Sequence, residues 1–236
     1  MKLLKWIKSI FKKPRSSPLP TSPTRETSLV FKGMYPKAQA VPGKKPMKAR
    51  GKYKGDFPEG LIIHFTAGQK SQSGSGMIQF ANENSYLFYF MDEKGQVFQQ
   101  FNANEWGNHA GVSKCPVTGR TDVSKIYAGI EIANGGRLDP KTKKTWFGKV
   151  VSNPRYFKGN KLQTEGWYEP YTEEQEASLI EFCLWMCKNG VRPDLILGHD
   201  EVAPSRKNDP GGSLSVSMEI FRARIKQRLI ESNIAF

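Results

Sequence analysis

Residues 60–68 read "GLIIHFTAG", an apolar run of strand length that closes at Gly68 and holds one imidazole, His64. An unpartnered imidazole is costly to bury in an apolar strand. His64 is therefore either a hydrogen-bonded core histidine or a ligand for something the fold brings to it. Moving outward, "SYLFYFMDEKGQVFQQF" (85–101) gives two aromatic and β-branched strands joined at Asp92-Glu93-Lys94-Gly95, a hairpin signal. "IYAGIEIANGG" (126–136) is another strand stopped by glycines, and "PDLILGH" (193–199) is a further one.

Two helices frame these strands. In "YTEEQEASLIEFCLWMCKNG" (171–190), Thr172 and Gln175 make a capping box and Gly190 supplies the stop. Leu179, Phe182, Cys183 and Met186 form its apolar stripe. "SMEIFRARIKQRLI" (217–230) closes the chain, with Ile220, Phe221, Ile225 and Leu229 expected inward. Residues 137–168 are polar with scattered aromatics and read as a long loop or excursion. Strands and helices mix without strict alternation. The expectation is an α/β fold: a central mixed β-sheet flanked by helices, in a single catalytic domain at 58–236 with an irregular N-terminal extension.

The charge is placed unevenly. The 236 residues carry a net +14, yet residues 1–60 hold fifteen Lys and Arg against three acids, so the remainder is close to neutral. That excludes a nucleic-acid-binding core and leaves a basic arm that meets something anionic. "MKLLKWIKSIFKK" (1–13) reads as a short basic amphipathic helix suited to an anionic membrane or lipopolysaccharide, with a frayed tail as the alternative. Lysines interrupt its apolar run and no small-residue cleavage site follows, so a standard signal peptide is not expected. Residues 14–57 read as a Pro/Ser/Thr linker and an extended lead-in. No run of about eighteen apolar residues indicates a membrane span. Three cysteines, Cys115, Cys183 and Cys187, do not make a disulfide framework. Cys183 and Cys187, four apart on a helix, are buried thiols or half of a metal site.

The three histidines have separate addresses: His64 lies within a strand, His199 just after the strand "LIL" in "GHDEVAPSRKNDPGG" (198–212), and His109 in "WGNHAGVS". A catalytic zinc takes three protein ligands and leaves one position for water. His64, His199 and Asp209 fit that need in type, although no short ligand spacing ties them together. Glu131 interrupts the apolar strand "AGIEIAN"; it either faces solvent or serves as a general base. Lys207 is a solvated loop lysine or the support for an oxyanion.

Taken in order, "IIHFTAG", "SYLFYFMDEKGQVFQQF", "WGNHAGVS", "AGIEIAN", "WYEPYTEEQ" and "GHDEVAPSRKNDPGG" resemble the amidase type 2 family of zinc-dependent N-acetylmuramoyl-L-alanine amidases, over about residues 58–230. The resemblance implies that Zn2+ is held by His64, His199 and Asp209. It implies that Glu131 activates water and that Lys207 supports the transition state. It places Tyr86 and His109 at the substrate groove. The family often reads Tyr-His after the serine, whereas Leu87 follows Tyr86 here. The implied reaction is hydrolysis of the amide between N-acetylmuramic acid and the L-alanine of the stem peptide. The expected enzyme is a monomer made in the cytoplasm and acting on envelope peptidoglycan, as a phage endolysin or a membrane-contacting bacterial enzyme. A cytoplasmic recycling amidase on soluble anhydro-muropeptides, cleavage of a bond within the stem peptide, and a non-catalytic peptidoglycan-binding module are the alternatives.

Overall fold

The computed structural model describes residues 32–40, 45–68 and 74–233. The chain runs through β1 (Gly51–Lys52), β2 (Gly60–Phe65), α1 (Gly74–Asn84), β3 (Tyr89–Met91), β4 (Val97–Phe98), β5 (Glu105–Trp106), β6 (Tyr127–Ile132), β7 (Arg137–Leu138), β8 (Arg155–Phe157), β9 (Gly166–Tyr168), α2 (Glu173–Lys188), β10 (Ile196–Gly198), α3 (His199–Val202) and α4 (Met218–Glu231). The proposed helix at residues 1–13 lies outside the described residues.

The central sheet has the order β10-β2-β6-β3-β4. Its first four strands are parallel and β4 turns back antiparallel on β3, so the sheet is mixed as expected. β2 and β6 are covered on both faces and read as near-continuous apolar runs for that reason. The hairpin turns where the sequence placed it. Asp92 Oδ1 accepts from the amides of Lys94 and Gln96, and Gly95 takes the positive φ, +77°, that the turn needs.

α2 carries the expected capping box: Gln175 N donates to Thr172 Oγ1, and Thr172 N donates to Gln175 Oε1. Its buried stripe, Leu179, Phe182, Cys183 and Met186, packs into the main core. The three cysteines are free and buried.

Four features depart from the sequence expectation. Ile220 is half exposed, and Met218 takes the inward place beside Phe221, Ile225 and Leu229. Met218, Phe221, Ile225 and Leu229 keep the 3-4-4 helical spacing, while Ile220 lies off that stripe. Residues 137–168 are not a loop: β7, β9 and β8 pair into a small antiparallel sheet. Its strands are two or three residues long, too short to alternate visibly. α1 goes unannounced by its sequence, since it starts Gly-Ser-Gly and has no acidic residue in its first turn. The lead-in also belongs to the packed unit. Tyr35 is buried with its ring edge-on to Phe182 at 5.2 Å, Met47 joins the same core, and β1 pairs with β5.

Candidate active site

Register brings the functional side chains together. In the parallel β2–β6 ladder His64 lies directly opposite Glu131, so both project from one sheet face. Leu197 of β10 pairs with Ile62, two residues before His64. His199, two residues past Leu197, thus arrives level with His64. It opens α3, a single helical turn held to α4 by a bidentate pair, Glu201 with Arg222, at 2.6 and 2.9 Å. The chain then returns: Asp200 N donates to Asp209 O at 2.8 Å, which sets Asp209 against His199. The loop of residues 203–209 is thus closed by a backbone bond at its neck, and Lys207 N is fixed by Ala203 O at 3.0 Å.

Three ligand atoms converge. His64 Nδ1 lies 2.8 Å from His199 Nδ1 and 3.0 Å from Asp209 Oδ2, and His199 Nδ1 lies 2.9 Å from Asp209 Oδ2. All three residues are buried.

The opposite ring nitrogens determine what these atoms offer. His199 Nε2 donates to Ala110 O at 2.9 Å. His109 Nε2 donates to Tyr127 O at 2.9 Å, which leaves its Nδ1 to accept from His64 Nε2 at 3.1 Å. A carbonyl can only accept, so the proton positions follow from the network. Burial pushes the His64 pKa down to about 4, with the charge of His199 adding to it and the hydrogen bond to Asp209 opposing. Burial and the neighbouring His64 push His109 well down as well. Burial alone would raise the Asp209 carboxyl, but an Nδ1–H of His199 or His64, formed when either ring takes up a second proton, donates to it and holds it below the ordinary carboxylate range. Neutral imidazoles and an ionised carboxylate are the protonation state that metal binding requires. Lone pairs facing each other at 2.8 Å repel unless a proton or a metal cation lies among them. Tetrahedral zinc with bonds of about 2.0–2.1 Å sets its ligand atoms about 3.3 Å apart. The residues present therefore fit such an ion.

Glu131 lines the same cavity, and its buried Oε2 has no hydrogen-bond partner. Burial raises its pKa well above the usual range, Asp209 adds to that, and Lys207 opposes it. Lys207 lines this cavity of about 420 Å³ and also its neighbour of about 530 Å³. Tyr86 sits at the junction of the two, stacked on Phe80 at 5.8 Å. Leu87, the departure from the family pattern, is turned into the core and lines neither cavity.

His109 touches the ligand cluster more closely than the sequence suggested. Gly129 makes room for it: a Cβ there would stand 2.8 Å from the His109 ring. A glycine inside a buried strand is the signal that could have revealed this close approach. Arg206 shares the motif of His199 and Lys207. It donates to Ala110 O at 2.8 Å and Val112 O at 2.6 Å, and so clamps the segment that carries His109.

Residues 54–212 match the family model Amidase_2, described as N-acetylmuramoyl-L-alanine amidase. No curated protein sequence matches the chain. Among solved structures, AmpDh3 from Pseudomonas aeruginosa in complex with anhydromuramic pentapeptide is similar at 18% identity, over 82% of this chain and 65% of that one, with a TM-score of 0.51. The amidase AmiD from E. coli, in complex with anhydro-N-acetylmuramic acid-L-Ala-D-gamma-Glu-L-Lys, is 20% identical over 79% of this chain and 62% of that one, with a TM-score of 0.49. The endolysin LysCS from Clostridium intestinale URNW is 16% identical over 86% of this chain and 99% of that one, with a TM-score of 0.49. At 18% identity the likeness to AmpDh3 is one of fold.

Proposed function

This chain belongs to the N-acetylmuramoyl-L-alanine amidase family whose model it matches, and from that premise we propose that it is a zinc hydrolase of envelope peptidoglycan, cutting between N-acetylmuramic acid and L-alanine. The observation that carries the reading is Glu131: a buried, unpartnered carboxylate oxygen on the cavity wall beside a His-His-Asp ligand set.

His64 Nδ1, His199 Nδ1 and Asp209 Oδ2 would hold the zinc, which when bound polarises a carbonyl and lowers the pKa of water toward 7. In this reading Glu131 takes the proton of the attacking water and returns it to the leaving amine of L-alanine, which its position on the sheet face of His64 supports. Lys207 lies on the same wall and supplies a cation to the tetrahedral oxyanion. Tyr86 closes the junction where the scissile amide enters. His109 lines both cavities at the groove and also holds the tautomer of His64 through its Nδ1.

The test is a digest of intact sacculi followed by mass spectrometry. The expected products are stem peptides with a free N-terminal L-alanine and glycan strands stripped of peptide. New reducing ends, or cuts within the stem, would overturn the assignment.

The basic segment at residues 1–13 is proposed to bring the domain to anionic lipid or lipopolysaccharide; its composition supports this. No helix among the described residues is long and apolar enough to cross a membrane. Co-sedimentation with anionic vesicles should weaken when the chain begins at Phe31, and equal binding would refute the role.

A further inference from the structure

The 137–168 excursion does more than decorate the sheet. Lys144 and Val150 pair in a bridge, and across the tight turn Thr145 N donates to Lys149 O while Gly148 N donates to Thr145 O. At the tip stand Trp146 and Phe147. Trp146 is 76% exposed, and Phe80 on α1 is 48% exposed. Exposed aromatic rings of this size beside an active cleft call for an occupant.

Trp146 is not loose. Its indole N–H donates to Ala67 O, three residues after the ligand His64, so its polar edge is satisfied and its face is left open. Lys149 ties the same hairpin to Glu169 at 3.2 Å. Trp146, Phe147, Met77 and Phe80 line a cavity of about 500 Å³. It shares Thr66, Ala67, Met77 and Phe80 with the cavity of Glu131 and the ligand cluster. The two are one trough, with an aromatic wall running from Tyr86 through Phe80 to Trp146.

The two ends of this trough differ in chemistry. Beyond the ligand cluster on one side, Lys125, Arg206 and Lys207 line the 530 Å³ cavity against a single acid among the described residues, Asp122. On the other side no charged side chain among the described residues lines the aromatic cavity. The substrate of the proposed reaction has the same polarity. A stem peptide bearing carboxylates leaves the scissile amide in one direction, and an uncharged polymer of hexosamine rings leaves in the other. Hexosamine rings present flat C–H faces that pack on aromatic rings while their hydroxyls stay in water.

We propose that Trp146, Phe147, Phe80 and Met77 form a subsite for the glycan strand, taking a sugar ring beyond the muramyl residue whose amide is cut. The inference rests on the amidase reading and deepens it: the enzyme is built for polymeric glycan in preference to single-sugar fragments. A lipid surface is the competing occupant, since Lys141 and Lys144 are exposed nearby. The concave wall and the pinned indole favour a strand lying along the trough.

The test uses the full chain as wild type, Trp146→Ala and Trp146→Phe. For each, kcat/KM is measured on peptide-bearing glycan strands of several disaccharides and on a muramyl peptide with one sugar. The expected result is a roughly tenfold fall in the polymer-to-fragment ratio for Trp146→Ala, from the loss of about 50 Å² of apolar contact. Trp146→Phe should keep most of the ratio. An unchanged ratio in Trp146→Ala overturns the subsite. A second measurement titrates peptide-free glycan strands into chelator-treated protein by calorimetry; binding should be present in wild type and weakened in Trp146→Ala. Absence of that binding, or loss of anionic phospholipid vesicle binding in its place, also overturns it. Failure of wild type to cleave either substrate would sink the amidase reading, while the calorimetry would still decide the subsite.

Discussion

His109 Nδ1 stands 3.1 Å from His64 Nε2 and so decides which nitrogen His64 presents to His199 and Asp209. The relay ends on a fixed acceptor, Tyr127 O, and only one tautomer of each ring satisfies it. Removing the His109 acceptor frees the His64 ring to turn. His109→Leu should lower zinc affinity about 10- to 100-fold, the usual cost of losing an outer partner of a metal-binding histidine. Competition with a chromophoric chelator measures this. Wild-type affinity in the variant would show that His64 is oriented by other means.

Glu131 is expected to separate metal binding from chemistry. It is not one of the three converging ligands, yet it shares their cavity. Glu131→Gln should retain one metal ion per chain and lose about 100- to 10,000-fold in kcat, the range for a positioned proton-transfer group. Metal analysis on the sample used for kinetics checks both halves. Near-full activity would remove Glu131 from the mechanism.

The sheet was legible because its signals are local. The apolar runs of β2 and β6, the Asp92–Gly95 turn and the Thr172 cap each bring their own chemistry within a few residues. The ligand set was legible through the family resemblance of the quoted motifs, since residue types alone left His64 open as a hydrogen-bonded core histidine. What could not be read was long-range. The β7–β9–β8 sheet consists of pairings between segments up to about thirty residues apart, each too short to show a period. The role of His109 depends on a strand glycine, Gly129, twenty residues away. The burial of Tyr35 depends on Phe182 and Trp185, far along the chain. Lysine, glycine and proline content marked this stretch as an extended lead-in, and Tyr35, Met47 and the β1–β5 pairing pack it onto the domain.

That packing gives a stability prediction. Tyr35 is buried against Phe182 and Trp185, and its amide donates to Gln99 Oε1 at 2.9 Å. Tyr35→Ala should cost about 3 kcal/mol, as for other large aromatic truncations in a core. Urea unfolding monitored by far-UV circular dichroism reads the cost. A change below about 0.5 kcal/mol, the size of an ordinary surface substitution, would mean that the lead-in is not part of the cooperative unit.

The ligand cluster also sets how the metal-free protein responds to acid. His64 has a pKa of about 4 when folded against 6.5 as the ordinary value. Between those values the unfolded chain binds a proton that the folded chain refuses, so unfolding gains as pH falls. Above pH 6.5 this group costs nothing. From 6.5 down to about 4 its cost grows to at most on the order of 3 kcal/mol, and below that it is constant. Asp209 continues the loss at lower pH, because its folded pKa lies below its ordinary value of 3.8 and the unfolded chain again takes up the proton first. Urea midpoints of chelator-treated protein at pH 8, 6, 5 and 4 should therefore be level at first and then fall. In His64→Gln the fall between 6.5 and 4 should be smaller, since the group that resists protonation is gone. Equal slopes in the two proteins would show that the acid sensitivity comes from elsewhere than the buried imidazole of His64.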